Sequence, residues 1–267
     1  MSITTIWSPM HGVGATACLL ATAICMAEAH DRKVLITETH FALNNLEEPL
    51  LGKSTVDARE LHAGKGIDTL KRYAASSGID ADTVRKVSFD VSDKIMFMPG
   101  TMQTEYELHD SASARNVIQH SLFETGRVMS DYNVIIDTNA GDNDAMSAAA
   151  LDIADNIVVC LRQNKALIAK TLENEKLIEL SQSKGMFFCF AEYDDDSKLN
   201  LDNVPKIFKP LKGGALGGVP YNTGYADAIS DCTVLKYLRR TIDLYDPKTA
   251  TANDWWRFVD NFTQKII

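Results

Sequence analysis

The chain has 267 residues, 45% of them hydrophobic and 24% charged, so it can bury a full core and is not intrinsically disordered. Its 27 Lys and Arg against 36 Asp and Glu give a net charge of -9, which disfavours a protein that coats nucleic acid through its overall field. The five cysteines are widely spaced and form no CxxC pair, which argues against a zinc site and a disulfide framework and favours buried free thiols. The sequence has no apolar run of about 18 to 20 residues and no basic segment before Ile3, so we expect a cytoplasmic protein.

Short apolar runs alternate with helical patterns along the chain. In chain order, strands are predicted at Ile3 to Ser8, Val34 to Thr37, Lys94 to Met98, Tyr132 to Asp137, Asn156 to Leu161, Met186 to Phe190 and near Lys212. Helices are predicted between them at Ala15 to Ala29, Gly66 to Ser77, Asp82 to Lys86, Ser111 to Met129, Ala145 to Ala154, up to Leu180, Tyr225 to Ile242 and Asn253 to Ile266. This alternation predicts a single α/β domain over residues 1–267, in which a mostly parallel twisted sheet carries helices on both faces.

In such a sheet, ligands bind beyond the carboxyl ends of the strands. The first strand is followed by a turn with two glycines, Gly12 and Gly14, and then by a helix whose opening amides can face a phosphate group. Thr16 stands where a hydroxyl can ligate Mg²⁺, and Asp137 ends a strand as a Walker B carboxylate does. A strict P-loop requires a lysine where Ala15 stands. On these residues alone, a plain strand-to-helix turn and an Asp137 that only caps its turn remain open alternatives.

The order and spacing of several segments resemble the ParA/MinD family of P-loop ATPases over essentially the whole chain. The segment Gly12-Val13-Gly14 aligns with the family's glycine loop, and Ile135-Ile136-Asp137-Thr138 is similar to its I-I-D-T motif. Val34 to His40, with Asn45-Leu46 beyond, is similar to the second-strand motif. This resemblance implies a three-layer fold of the ParA/MinD type, with ATP or ADP and Mg²⁺ as cofactors.

The resemblance also assigns roles to particular residues. The nucleotide-binding residues it implies form the glycine loop and the start of the following helix: His11, Gly12, Val13, Gly14, Ala15, Thr16 and Ala17. Thr16, Glu38 and Asp137 are the implied Mg²⁺ ligands.

Four functional positions of the family pattern are lost. Met10 and Ala15 replace the two lysines of the loop, His40 replaces the Asp that positions the attacking water, and Ala191 lies where an adenine-reading Asn is expected. The loss of a charge-assisted hydrogen bond to phosphate weakens binding by roughly 1.5 to 3 kcal/mol. We therefore expect a pseudo-ATPase that binds nucleotide weakly. A protonated His11 can replace part of the missing charge, and a solvent-exposed turn histidine is the alternative.

A narrower resemblance is to TadZ-like proteins, atypical ParA relatives linked to pilus and secretion machinery. It is carried by Trp7-Ser8-Pro9, by Asn44 to Glu47 and by Tyr193 with Ser197-Lys198. It implies a homodimeric scaffold with protein partners in a pilus, secretion or conjugation assembly. The alternative is an active ParA-type partition ATPase that binds DNA nonspecifically through basic residues of the C-terminal third: Lys206, Lys209, Lys212, Lys236, Arg239 and Arg240.

The C-terminal segment Asn253 to Ile267 would carry a broad apolar face if it were helical. Trp255, Trp256, Val259, Phe262 and Ile266 share that face. The face resembles the membrane-targeting helix of MinD, but acidic side chains within the segment oppose an anionic lipid surface. We therefore expect a helix docked on the core, and membrane binding is the less favoured alternative.

Overall fold

The structure is a computed structural model that describes residues 2–39, 46–52, 63–101, 112–141, 145–246 and 255–267. Its strands are β1 Ser2–Trp7, β2 Lys33–Glu38, β3 Phe89–Asp90, β4 Ile95–Met98, β5 Tyr132–Asp137, β6 Asn156–Leu161, β7 Gly185–Tyr193 and β8 Ala215–Pro220. They form one sheet in the order β3-β4-β2-β5-β1-β6-β7-β8. All neighbours pair in parallel except β3 and β4, which are antiparallel.

Helices connect the strands. They are α1 Ala15–Glu28, α2 Glu47–Leu51, α3 Gly66–Ser76, α4 Ala81–Val87, α5 Ala112–Val128, α6 Ala145–Ile153, α7 Lys165–Leu172, α8 Glu175–Leu180, α9 Val204–Ile207, a 3₁₀ turn Lys209–Leu211, α10 Thr223–Ser230, α11 Val234–Leu244 and α12 Trp255–Ile266. The predicted fold class is confirmed: a mostly parallel sheet lies between two layers of helices.

The two faces of the sheet bury alternate side chains of the same strands, as the period of two in a strand requires. On β5, Ile135 packs into a core with α1, α11 and α12, whereas Val134 and Ile136 pack on the other face with α3, α4 and α5. Trp7 of β1 lies in a separate core on the same face as α3, α4 and α5, and there it packs with residues of α7 and α8. Helix α1 is buried over residues 18–27 because its small apolar side chains allow close approach to the sheet.

The prediction is wrong for the last strand and for two of the helices. The last strand is Ala215–Pro220, and Lys212 lies in the turn before it. The helix predicted up to Leu180 is two helices, because the Asn174 side chain accepts a hydrogen bond from the Leu177 amide at 2.9 Å and starts α8. The helix predicted at Tyr225 to Ile242 also divides, and Cys232 between its halves has a left-handed φ of 56°. The short edge strand β3 and helix α2 were not predicted.

The C-terminal helix α12 lies against α1 and β8, so the predicted docking is confirmed. Trp255 and Trp256 are buried, and the Trp255 indole N–H donates to the carbonyl of Pro220 at 2.7 Å. Phe262 is buried against Gly217, where any added Cβ would overlap its ring. The apolar face of this helix is therefore part of the core.

The cysteines agree with the expectation of free thiols. Cys18, Cys25, Cys160 and Cys189 are buried, Cys232 is partly exposed, and all five are free. Within the described ranges, no helix combines the length and apolar character that crossing a bilayer requires.

Candidate functional site

The glycine loop joins β1 to α1 at the carboxyl edge of the sheet. Gly12 and Gly14 have φ values of 77° and 91°, in the left-handed region that glycine adopts without a steric penalty. Gly14 is the N-cap of α1 and provides no side-chain cap, so the first amides of the helix face outward with the positive end of its dipole. This geometry leaves the amides available to an anion.

The loop borders a cavity of about 360 Å³. Its walls are residues 11–17 together with Ser8, Leu20, Thr138, Ala140 and Ile229. The structure thus brings all seven residues expected to bind nucleotide to one cavity of the size that small-molecule ligands occupy. The cavity is largely apolar apart from backbone amides, two threonines, a serine and a histidine.

Residues of the neighbouring strands β6 and β7, or just after them, contact the glycine loop. The Arg162 guanidinium, just after β6, donates to the carbonyl of Gly12 at 3.2 Å and also pairs with Glu192. Behind the loop, a Cβ on Gly14 would lie only 3.1 Å from the Cβ of Ala191 on β7. Arg162 was not predicted as a site residue, although it follows the end of a parallel strand, the same signal that singled out Asp137. Partial burial lowers the pKa of the Arg162 guanidinium.

Thr16 and Asp137 meet directly. The Thr16 hydroxyl donates to Oδ2 of Asp137 at 2.7 Å, and Asp137 is fully buried at the end of β5. In P-loop proteins a hydroxyl and a carboxylate at these places hold Mg²⁺. The donor set of these two residues therefore fits the ion that the resemblance implies.

Glu38 is the third predicted Mg²⁺ ligand. It ends β2 in register with Asp137, so the two carboxyl groups occupy neighbouring strand ends. Its side chain is buried, and its Oε2 atom has no hydrogen-bond partner in the described part of the chain. Burial, with Glu47 and Asp137 nearby, raises the pKa of Glu38 well above its usual value. A protonated Glu38 is not a metal ligand, so it would join an Mg²⁺ site only after losing its proton. Glu47, on α2, was not predicted as part of this region.

The described part of the cavity wall lacks the positive charge that the two lysines of the family loop would supply. None of the described residues that line it is a lysine or an arginine, and Ala15 stands at the first position of α1. His11 is exposed at the cavity mouth and is the lining residue whose side chain can become positively charged. Met10 is 52% exposed outside the cavity wall. His40 lies outside the described residues, so the position of its side chain relative to this cavity stays a prediction.

No family model and no curated protein sequence matches the chain. Solved structures do match. A ParA family ATPase from Chlorobium tepidum superposes with a TM-score of 0.69 at 12% identity, over 98% of this chain and 98% of that one. A plasmid partition protein from Borrelia burgdorferi bound to AMPPNP has a TM-score of 0.65 at 16% identity, over 100% and 99% of the two chains. MinD from Pyrococcus horikoshii complexed with Mg-ADP has a TM-score of 0.66 at 14% identity, over 99% and 95%.

These likenesses extend over the full length of the chain, and at such identities they show the fold. The protein therefore has the fold of the ParA and MinD ATPases.

Proposed function

We propose that the chain is a degenerate member of the ParA/MinD family, a pseudo-ATPase that binds ATP or ADP weakly and does not hydrolyse ATP. The shared fold and the outward-facing amides of the glycine loop support the binding part of this proposal. The Thr16–Asp137 pair supports a Mg²⁺-dependent form of it. Two of the similar structures hold AMPPNP and Mg-ADP, respectively.

The observation that carries the proposal is the absence of a lysine or arginine side chain among the described residues of the cavity wall. A charge-assisted hydrogen bond from lysine to phosphate contributes about 1.5 to 3 kcal/mol, or roughly 10- to 150-fold in affinity. Loss of the stabilisation that such a charge gives the transition state slows phosphoryl transfer about 10³-fold or more. The backbone amides alone can still recognise phosphate. Hydrolysis would also need the charge of the lysine and the water-positioning Asp that the family resemblance implies, and both are missing from the sequence.

In this proposal, the amides of residues 12–17 hold the phosphates, and Thr16 with Asp137 holds Mg²⁺. The ion supplies positive charge that offsets the phosphate oxygens when it is bound. Glu38 adds a ligand only in its ionised form. His11 adds a contact at the cavity mouth when it is protonated, so His11→Ala should lower ATP affinity.

The proposed biological role is that of a homodimeric cytoplasmic scaffold, related to TadZ-like proteins, that positions a pilus, secretion or conjugation assembly. A protein that binds nucleotide without turnover can fix one conformation, and a fixed conformation suits a constitutive docking platform. The narrower TadZ-like assignment rests on the sequence segments Trp7 to Pro9 and Asn44 to Glu47, and on Tyr193 with Ser197-Lys198.

The second candidate is an active partition ATPase that binds DNA, and the intact Thr16–Asp137 pair favours it. DNA binding would use the basic residues of the C-terminal third. Arg239, one of them, is engaged with Glu28 at 2.9 Å, and the net charge of -9 opposes DNA. Affinity for DNA that falls steeply with salt, together with ATP turnover, would favour this candidate over the scaffold.

Calorimetric titration with ATP and ADP, each with Mg²⁺, tests the proposed nucleotide site. We expect saturable binding in the range of about 0.1 to 1 mM, because the cradle is present and the charge is missing. Ala15→Glu is the matched control, since a carboxylate in the cavity should repel phosphate and abolish binding. Submicromolar binding would contradict an impaired site, and the absence of binding at millimolar nucleotide would contradict the phosphate cradle.

A further inference from the structure

Three different metal-ligating side chains meet at the far end of α1, away from the glycine loop. Cys25 lies in the last turn of α1, His30 follows that helix, and Asp260 belongs to α12. The Nε2 atom of His30 is 2.7 Å from Oδ1 of Asp260, and the Sγ atom of Cys25 is 3.8 Å from the same oxygen. All three ligand atoms lie within 4.8 Å of one another. We propose that Cys25, His30 and Asp260 bind a divalent transition-metal ion such as Zn²⁺, and that this ion links α12 to α1.

The ligand set matches the chemistry of Zn²⁺, which takes thiolate, imidazole and carboxylate ligands. One thiolate and one carboxylate balance the charge of a divalent ion, and a neutral imidazole adds none. The cluster therefore takes up the metal without leaving a net charge at the helix junction. The thiol proton of Cys25 goes to solvent when the metal–sulfur bond forms.

The distances within the cluster can be compared with those of a tetrahedral site. With Zn–S near 2.3 Å and Zn–N and Zn–O near 2.0 to 2.1 Å, a tetrahedral ion separates sulfur from oxygen by about 3.6 Å and nitrogen from oxygen by about 3.3 Å. The sulfur–oxygen distance is 3.8 Å already, and the sulfur and nitrogen atoms lie within 4.8 Å of each other. Metal binding must also open the 2.7 Å contact between imidazole and carboxylate. His30 lies beyond the C-cap residue Ala29, outside the regular helix, where such a shift does not disturb α1.

The residues around the cluster leave access for a metal ion from solvent and hold the Asp260 carboxylate in place. The His30 and Asp260 side chains are 22% and 21% exposed, which leaves a solvent side for entry and for a water as fourth ligand. Gln264 donates from Nε2 to the second oxygen of Asp260 at 2.9 Å and orients the carboxylate, as outer partners of metal ligands do.

A second cluster, formed by Cys18, Cys160 and Cys189, is a weaker candidate. Its three ligand atoms are also mutually close, but all three residues are fully buried, with no solvent side. Three thiolates around a divalent ion would leave a net negative charge in the core, which is costly there. We interpret this cluster as packed thiols.

Titration of the full chain with Co²⁺ under reducing conditions tests the metal site, since a cobalt–thiolate bond gives a near-ultraviolet charge-transfer band and tetrahedral cobalt gives visible bands. We expect one equivalent of Co²⁺ to bind, and Zn²⁺ to displace it and raise the melting temperature. Cys25→Ser should abolish the charge-transfer band, and Asp260→Asn should weaken binding at least about 10-fold. Cys232→Ser, the matched control at the partly exposed cysteine, should leave the spectrum unchanged.

Two results would overturn the proposal. One is the absence of a thiolate band in the unaltered protein at stoichiometric Co²⁺. The other is a band that persists in Cys25→Ser and is lost in Cys189→Ser, which would move the metal to the buried thiols. Circular dichroism of each metal-free variant shows whether it is folded, and His30→Gln provides a second ligand variant should Cys25→Ser fail to fold. Neither result bears on the nucleotide site.

Discussion

Restoring a lysine at position 15 should strengthen nucleotide binding. Ala15 is the first residue of α1, is half-buried and lines the cavity, so a lysine there can extend its ammonium group over the loop amides. One charge-assisted hydrogen bond to phosphate is worth about 1.5 to 3 kcal/mol. We therefore expect Ala15→Lys to lower the Kd for Mg-ATP by about 10- to 150-fold, measured by calorimetry against the unaltered protein.

The control for this prediction is Ala15→Met, which fills the same space without a charge and should leave the Kd within about threefold. The gain from lysine should also shrink at high salt, because the interaction is electrostatic. Turnover is not expected to return with the lysine alone, since His40 stands where the family resemblance implies a water-positioning Asp. Equal affinities of the lysine and methionine variants would refute the reasoning, because they would show that phosphate does not bind beside position 15.

Three further predictions concern stability, each measured by urea unfolding. Thr16→Val removes the 2.7 Å bond to Asp137 and should lower the free energy of unfolding by about 1 to 3 kcal/mol, while Thr16→Ser should not. Phe262→Ala should cost about 3 to 5 kcal/mol because the ring is buried against β8, whereas the exposed Asn261→Ala should cost less than about 0.5 kcal/mol. Glu38→Gln is compared with the unaltered protein over a range of pH without Mg²⁺. Because folding raises the pKa of Glu38, the unaltered protein should lose stability as pH rises above about 4.5, the pKa of the unfolded side chain, and the variant should not. Free energies of unfolding that change in parallel with pH would contradict this.

Local sequence pattern was sufficient for most of the sheet. β5 is a β-branched run that ends at Asp137, and both of its ends were predicted correctly. β8 was misplaced because its glycines have low strand propensity, and it becomes a strand only by pairing with β7 and packing beneath α12. β3 has two residues and no periodicity to detect.

Some residues of the candidate site were predicted from the sequence and others were not, for the same physical reason as in the sheet. Gly12, Gly14, Thr16 and Asp137 were found because each follows or ends a strand with a recognisable spacing. Arg162 was missed because its role depends on a contact across 150 residues, with the carbonyl of Gly12. The Cys25–His30–Asp260 cluster was missed for a similar reason: Cys25 and His30 are close in sequence, but Asp260 lies 230 residues from His30 and joins them only when α12 docks.

The central claim is that the phosphate cradle persists without catalysis, and phosphate release from Mg-ATP at saturating nucleotide tests it most directly. We expect a rate no greater than that of Thr16→Val or of buffer alone, in a sample for which calorimetry shows that ATP is bound. Sustained release that the unaltered protein shows and Asp137→Asn loses would contradict it, because Asp137 would then serve a working ATPase site.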